Sequence, residues 1–330
     1  MTEDLGRRDV APDPAVEHLL AVTARVRANV ESVVKGKDHV VTTALVVLLS
    51  QGHLLVEDVP GVGKTLLSKA LARSVDASVH RIQFTPDLMP SDVTGVSIFD
   101  PEARRFEFRP GPVFAHVVVA DEINRASPKT QSALLECMEE HQVTVDDHTY
   151  QLASPFMVVA TQNPVEMEGT FGLPEAQRDR FTARVSMGYP SADDEVAMLA
   201  AHTGRAPLDA LEPVTDVAEV RTLIATTAAV HVSAAVQRYA VELTRATRTS
   251  PHLTLGASPR ATLQLVRASQ ALAALRGRAY VLPDDVRDLA STVLPHRLLL
   301  SHSAVAAGTD VHAVVDEVVR SVPVPDPARA

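Results

Sequence analysis

The sequence predicts an α/β fold with a central parallel sheet, followed by an all-helical region. Three observations carry that expectation. Short uninterrupted apolar runs, Leu54-Leu55-Val56, Val117-Val118-Val119-Ala120 and Phe156-Met157-Val158-Val159-Ala160, have the pattern of strands buried on both faces. Such strands belong to parallel sheets covered by helices. The first run breaks into a glycine-containing turn and then a helical stretch. After Tyr189-Pro190 the strand-like runs stop and Ala-rich helical periodicity takes over.

The elements follow in order. Met1 to about Pro14 is polar and Pro-containing and reads as a loose tail. Leu19, Val22, Val26 and Val30 recur at spacings of three and four, predicting a helix over Val16 to Val33. A loop with Lys35-Gly36-Lys37 leads to a second helix over Asp38 to Leu49, ended by Gln51-Gly52. Leu66 to Ser74 reads as the helix after the first strand. One hairpin is expected from Val96 to Phe108, turning at Asp100-Pro101. Another joins Val143-Thr144-Val145 to Tyr150-Gln151-Leu152 through a polar tip, Asp146-Asp147-His148-Thr149. Ser191 is suited to cap a helix whose first turn carries Asp193 and Asp194. Ser258-Pro259 is a cap followed by Pro at the first helical position, and Gly277 stands where that helix should end. Leu282-Pro283-Asp284-Asp285 starts another helix. The organisation expected is a flexible tail over 1–15, an α/β domain over 16–190 and a helical domain over 191–330.

Composition bounds the function classes. With 330 residues, 46% hydrophobic and 22% charged, the chain is globular, has room for about two domains, and can bury a large core. Aromatics are 4% and Trp is absent, so that core must be aliphatic. Lys plus Arg total 31 against 41 Asp plus Glu, a net charge of −10 that disfavours coating nucleic acid or an anionic membrane. A lone cysteine, Cys137, excludes an internal disulfide framework and reads as a small core hydrophobe. The first thirty-odd residues carry scattered charges and no uninterrupted apolar stretch of an export signal. The longest apolar run, Val40 to Leu49, is about half of the ~20 residues that span a bilayer. A cytoplasmic protein without membrane insertion is expected.

The strongest chemical signal is Pro60-Gly61-Val62-Gly63-Lys64-Thr65 between a strand and a helix. Polyphosphate needs many donors and no bulky side chains in the way. Glycines let backbone N–H groups close around phosphates, the helix N-terminus adds its dipole, Lys64 reaches the outer phosphates, and Thr65 offers a hydroxyl to Mg²⁺. The strict eight-residue pattern begins with Gly, where this chain has Asp58. A second strand ending in Asp121-Glu122 supplies one carboxylate for Mg²⁺ and another to activate water. The third run ends at Asn163, whose amide is suited to orient that water. Arg180 lies shortly after, and Arg260 sits in the capped first turn after Ser258-Pro259. Guanidinium groups suit the charge that spreads over phosphoryl oxygens in the transition state. The thirteen histidines are scattered, with no His-Glu-x-x-His, so a His or Cys metal site is not expected. Arg104-Arg105 reads as a solvated turn.

Together these residues resemble a known family. Gly52-His53-Leu54-Leu55-Val56-Glu57-Asp58-Val59-Pro60-Gly61-Val62-Gly63-Lys64-Thr65 resembles the MoxR family of AAA+ ATPases, including the acidic residue at the first loop position. Arg81-Ile82-Gln83-Phe84-Thr85-Pro86-Asp87, Ala120-Asp121-Glu122-Ile123-Asn124-Arg125-Ala126, Thr161-Gln162-Asn163-Pro164, Leu173 to Phe181, Gly256 to Ala261 and Ser321-Val322-Pro323-Val324-Pro325 are similar to that family's later segments. The resemblance covers nearly all of the chain past about residue 15.

The resemblance implies a P-loop AAA+ domain with an all-α lid domain, binding ATP and Mg²⁺. It implies that Val34 and Gly36 border the adenine and that Pro60, Gly61, Val62, Gly63, Lys64, Thr65 and Leu66 surround the phosphates. Thr65 and Asp121 would hold the metal and Glu122 would polarise water. Asn163 becomes sensor 1, Arg180 the arginine finger reaching a neighbouring subunit, and Arg260 sensor 2, acting in cis or, with the displaced lid of the helix-2-insert branch, in trans. Arg178 departs from the family pattern, which more often has an apolar residue there, and leaves two arginines as finger candidates. The implied activity is ATP hydrolysis in a homo-oligomeric ring, by resemblance a hexamer. The ring would act as a chaperone-like motor that remodels, matures or activates a client protein complex. Family members often work with a von Willebrand factor A domain partner. Two other readings stay open: a nucleic-acid remodelling motor, which the acidic balance disfavours, and a nucleotide-gated scaffold with slow hydrolysis.

Overall fold

The computed structural model describes residues 13–59, 61–163, 170–201 and 207–325. Two helices, α1 (Pro14–Val33) and α2 (Asp38–Leu49), precede strand β1 (Leu54–Glu57), helix α3 (Lys64–Ser74), strand β2 (Val79–Gln83) and the short α4 (Pro90–Thr94). A hairpin of β3 (Gly95–Asp100) and β4 (Arg105–Pro110) leads to β5 (Val117–Asp121) and α5 (Pro128–Glu140). A second hairpin, β6 (Gln142–Val145) and β7 (His148–Gln151), is followed by β8 (Met157–Gln162), the one-turn α6 (Glu175–Arg178) and β9 (Ala183–Val185). Helices then dominate: α7 (Ala192–Ala201), α8 (Val217–Ala229), α9 (Ala234–Thr249), α10 (Pro259–Leu275), α11 (Pro283–Val293), α12 (His302–Ala306) and α13 (Val311–Ser321). The expected tail falls mostly outside the described residues, and α1 begins at Pro14, capped by the Asp13 side chain.

Five strands form one parallel sheet in the order β2-β5-β8-β1-β9. Its strands alternate between two cores. Leu54, Val56, Val117, Met157 and Val159 face one apolar cluster, while Leu55, Val118, Ala120, Val158 and Ala160 face the other. Burial on both faces is why these strands read as continuous apolar runs. The first cluster continues through α1 to α3 into α8 to α11, so that the later helices share a core with one face of the sheet. Cys137 belongs to the second cluster, where burial pushes its thiol up to about 12.

Three details differ from expectation. The first hairpin turns over residues 101–104 rather than at Asp100-Pro101, because Asp100 pairs with Arg105 across its ladder. The second hairpin turns on Asp146-Asp147 alone, because His148 and Thr149 pair across the ladder with Val145 and Thr144. The later region also holds a small antiparallel ribbon, β10 (Leu253–Leu255) against β11 (Leu299–Leu300). Strands of two or three residues are too short to show a period. The caps agree with their residues: Ser258 accepts from Ala261 N at 3.1 Å, Ser191 from Asp194 N at 3.2 Å, and Gly277 has φ +73° just past α10.

His53, immediately before β1, stitches the sheet to α5. Its Nδ1 accepts from Val158 N at 3.0 Å, so its Nε2 donates to the Met138 carbonyl, also at 3.0 Å. Complete burial pushes its pKa from 6.5 down to about 4. The unfolded chain therefore binds this proton below about pH 6.5 while the folded chain refuses it until about pH 4. Stability should fall across that window by about 3 kcal/mol from this group. Buried His296, also held low by burial and by Arg297, acts in the same direction. Urea midpoints measured at pH 7 and pH 4.5 check this: the loss on acidification should be smaller in His53→Gln than in the unaltered chain, and an equal loss would rule out His53 as a source.

Candidate nucleotide site

The loop after β1 and the first turn of α3 lie at the C-terminal edge of the sheet. Gly61 and Gly63 have φ +83° and +96°, a left-handed backbone that glycine adopts without strain. A Cβ on Gly61 would meet nothing within 4 Å, so the requirement there is conformational rather than steric. Pro60 lies outside the described residues. Val62 and Leu66 pack against the main core and fix the loop's two ends. Lys64 Nζ lies across the loop, donating to the Asp58 carbonyl at 2.7 Å and the Gln162 carbonyl at 3.3 Å.

Parallel pairing of β5 beside β8 brings the next residues to the same edge. Thr65 Oγ1 donates to Asp121 Oδ2 at 3.1 Å, uniting the two residues expected to hold a metal. Asp121 is buried and also accepts from Thr161 Oγ1 at 3.2 Å and Arg81 Nε at 2.6 Å. A hydroxyl and one carboxylate fit a Mg²⁺ that keeps water and phosphate as its other ligands, with Arg81 having to yield its place on Asp121. Among the described residues, no group of three or more His, Cys, Asp or Glu gathers to hold a metal ion.

Glu122 follows in a left-handed conformation, φ +56°, with its N–H on Thr161 Oγ1 at 2.9 Å. Its Oε2 accepts from Gln83 Nε2 at 2.9 Å and from Arg125 Nη1 at 3.0 Å. Asn163, one residue past β8, is buried and lines a cavity of about 210 Å³ with Glu57, Gln162, Arg178, Arg184 and His296. Val34 is buried at the end of α1. Gly36 has φ +66°, and a Cβ there would strike the Asp194 carboxylate in the first turn of α7. Lys37 Nζ donates to the Tyr189 carbonyl at 3.0 Å. The 34–37 loop thus touches the chain just where the helical region begins.

Arg180 and Arg260 lie elsewhere. Arg180 Nη2 meets Glu139 Oε2 at 3.0 Å, and Arg260 Nη2 meets the other oxygen, Oε1. Glu139 adjoins Met138, whose carbonyl holds His53 in front of β1, and Thr182 N donates to the His53 carbonyl at 2.8 Å. This is the N-terminal edge of the sheet, opposite the glycine loop. At about 3.3 Å per residue, the four residues of β1 alone separate the two edges by roughly 13 Å. Arg178 turns the other way, lining the Asn163 cavity and pairing with Glu175 at 3.5 Å.

Residues 53–183 match the model of the ATPase family associated with various cellular activities (AAA), and residues 245–318 match an AAA lid domain. A crystal structure of an ATPase candidate from Cytophaga hutchinsonii superposes with a TM-score of 0.88 at 37% identity, covering 94% of this chain and 97% of that one. The uncharacterized protein YeaC of Bacillus subtilis is 48% identical over 94% of this chain and 97% of its own length. The chaperone MoxR1 of Mycobacterium tuberculosis is 41% identical over 96% of this chain and 86% of its own length. The chain belongs to the MoxR family of AAA+ ATPases. As such it carries a nucleotide-binding ATPase fold with a helical lid region.

Within this MoxR-family chain, Asp58 has a structural account. Its Oδ2 accepts from Gly188 N at 2.6 Å and Ser186 Oγ at 2.9 Å, and its Oδ1 from Val59 N at 2.8 Å. Burial would raise its pKa, but these hydrogen bonds outweigh it and keep the carboxyl below the usual range. A glycine there would leave the loop unfastened from the strand leading toward the lid. Sequence reasoning did not single out Arg81, Gln83, Arg125 or Glu139 as site residues. The register Gln83↔Asp121 puts Arg81 and Gln83 beside the acidic pair, and their sequence signals were the Arg-Ile-Gln alternation of β2 and the family-like segment that it opens. No local pattern points to Glu139.

Proposed function

We propose that this chain hydrolyses ATP with Mg²⁺ at a site shared between adjacent copies in a homo-oligomeric ring, by resemblance a hexamer. The observation that carries the reading is the division of the phosphate-binding and arginine chemistry between two edges. Lys64, Thr65, Asp121, Glu122 and Asn163 converge at one edge, whereas Arg180 and Arg260 are pinned together at the other.

In this reading the loop N–H groups and Lys64 bind the phosphates, with Val34 and Gly36 beside the base. Thr65 and Asp121 are the residues that would hold a Mg²⁺, which would supply positive charge to the phosphate region. Glu122 accepts the proton from attacking water, which requires it to exchange the Gln83 and Arg125 contacts for that water. Asn163 orients the water, and Arg180 stabilises the spreading charge from the next copy. We place the division between α/β and lid domains near residue 190, where the last strand of the sheet gives way to α7. The output, by kinship with a chaperone, is remodelling or activation of a client protein complex, and a von Willebrand factor A domain protein is the partner class we favour. Among the described residues no helix is long and apolar enough to cross a membrane, and we place the protein in the cytoplasm.

Lys64→Ala tests the pocket. It removes the loop's cation and should lower ATP affinity at least tenfold, read by titration with a fluorescent ATP analogue. Unchanged affinity would remove Lys64 from the site.

A further inference from the structure

We propose that Glu139 is a positioning residue that sets Arg180 and Arg260 side by side as one composite donor for the phosphates of a neighbouring subunit's ATP. This rests on the shared-site reading above. Each oxygen of Glu139 takes one arginine, Oε2 to Arg180 Nη2 at 3.0 Å and Oε1 to Arg260 Nη2. Two guanidinium groups this close repel, and a carboxylate between them offsets that repulsion while leaving the trio with a net positive charge. Arg260 spends one N–H of its five on Glu139 and Arg180 pairs with it by charge, and because the Arg180 Nε is buried its terminal N–H groups are the donors left for an anion. All three side chains are partly exposed, at 27%, 36% and 34% for Arg180, Arg260 and Glu139.

The backbones under the two arginines are already braced. Ser258 caps α10 and donates to Asp179 Oδ2 at 2.8 Å, while Asp179 Oδ1 faces the buried Arg297 Nη1 at 3.4 Å. Gln264 Nε2 reaches the Arg180 carbonyl at 3.5 Å, and Arg297 also binds the Phe181 carbonyl. Asp179 therefore locks the finger segment to the first turn of α10. What remains free to vary is where the two guanidinium groups point, and Glu139 joins them. It lies 41 residues before Arg180 and 121 before Arg260, on a separate helix, so its effect is on direction rather than on folding of either segment.

A bystander ion pair of this exposure would contribute little stability and nothing to turnover. The experiment uses the full-length protein. Glu139→Ala should lower kcat about 10²-fold, the scale of a misplaced catalytic group, with ATP affinity unchanged because its own pocket is intact. Glu139→Asp, which keeps the charge, should regain part of that loss. Glu139→Gln should not, because its amide N–H₂ faces one of the two arginines. Should Glu139→Ala fail to fold, Glu139→Gln serves in its place.

Mixing assigns the residue to a side of the interface. Glu139→Ala mixed with Lys64→Ala should regain activity, since one supplies a sound pocket and the other a sound arginine pair. Glu139→Ala mixed with Arg180→Ala should stay inactive, because both lack the arginine side. If Arg180→Ala and Lys64→Ala complement each other but Glu139→Ala keeps normal kcat or fails to complement Lys64→Ala, Glu139 has no positioning role and the shared site stands. If Arg180→Ala and Lys64→Ala co-assemble without complementing, the shared-site reading falls and this proposal with it.

Discussion

Arg180→Ala should bind ATP as tightly as the unaltered chain and hydrolyse it roughly 10³- to 10⁵-fold more slowly. Binding is spared because the guanidinium sits on Glu139, across the sheet from the loop carrying Lys64 and Thr65. Hydrolysis is lost because the charge spreading over the transferred phosphoryl oxygens has no partner from the adjacent copy. Lys64→Ala should be equally inactive for the opposite reason, with an empty pocket and a sound Arg180. In a mixed assembly some interfaces pair the pocket of one variant with the arginine of the other, and turnover should partly return. Native mass spectrometry establishes that both chains share one assembly, and phosphate release measures the recovery. A co-assembled but inactive mixture would mean that Arg180 acts within its own chain, whereas an Arg180→Ala chain that keeps its turnover would make Arg178 the finger. Arg178 lines the Asn163 cavity instead of the opposite edge, which favours Arg180. Repeating the mixture with Arg178→Ala decides between them.

Glu122→Gln should give tight ATP binding with turnover reduced about 10²- to 10⁴-fold, the usual contribution of a positioned base. The amide keeps the shape of the side chain and can still accept from Gln83 and Arg125, so the local hydrogen bonds survive. Only the charge that draws a proton from water is removed. Because ATP then persists, the oligomer should persist with it, seen as an ATP-dependent shift in size-exclusion elution that does not decay. Turnover at the unaltered rate would show that another group activates the water.

Much of the frame was legible in the sequence because local rules and tertiary packing agree there. The helix over Asp38–Leu49 has the bounds its apolar pattern gives, and the three apolar runs became β1, β5 and β8. The glycine loop, Thr65, Asp121, Glu122 and Asn163 could be ordered along one edge because strand C-termini in a parallel sheet share that edge. The rest depended on distance in sequence. Arg81 and Asp121 are 40 residues apart, and Glu139 and Arg260 are 121 apart, so no spacing rule joins them. Asp58 read as a departure from a motif because its partners, Ser186 and Gly188, lie beyond four intervening strands of the sheet and both hairpins. The ribbon of β10 and β11 was too short to leave a pattern.

The placement of the pocket and the arginine pair on opposite edges has a consequence for how copies of the chain meet. A contact that joins one edge of a molecule to the other edge of the next is head-to-tail, and it has no natural stopping point unless the rotation closes. On the shared-site reading, an open arc always carries one idle pocket at one end and one idle arginine pair at the other. Closure removes both at once and adds a working site without adding a chain. Turnover per chain should therefore climb with protein concentration and step upward when the arc closes, and more steeply than ATP binding, which needs a single loop. On that reading, dilution alone would stop turnover in chains whose loops can still take ATP.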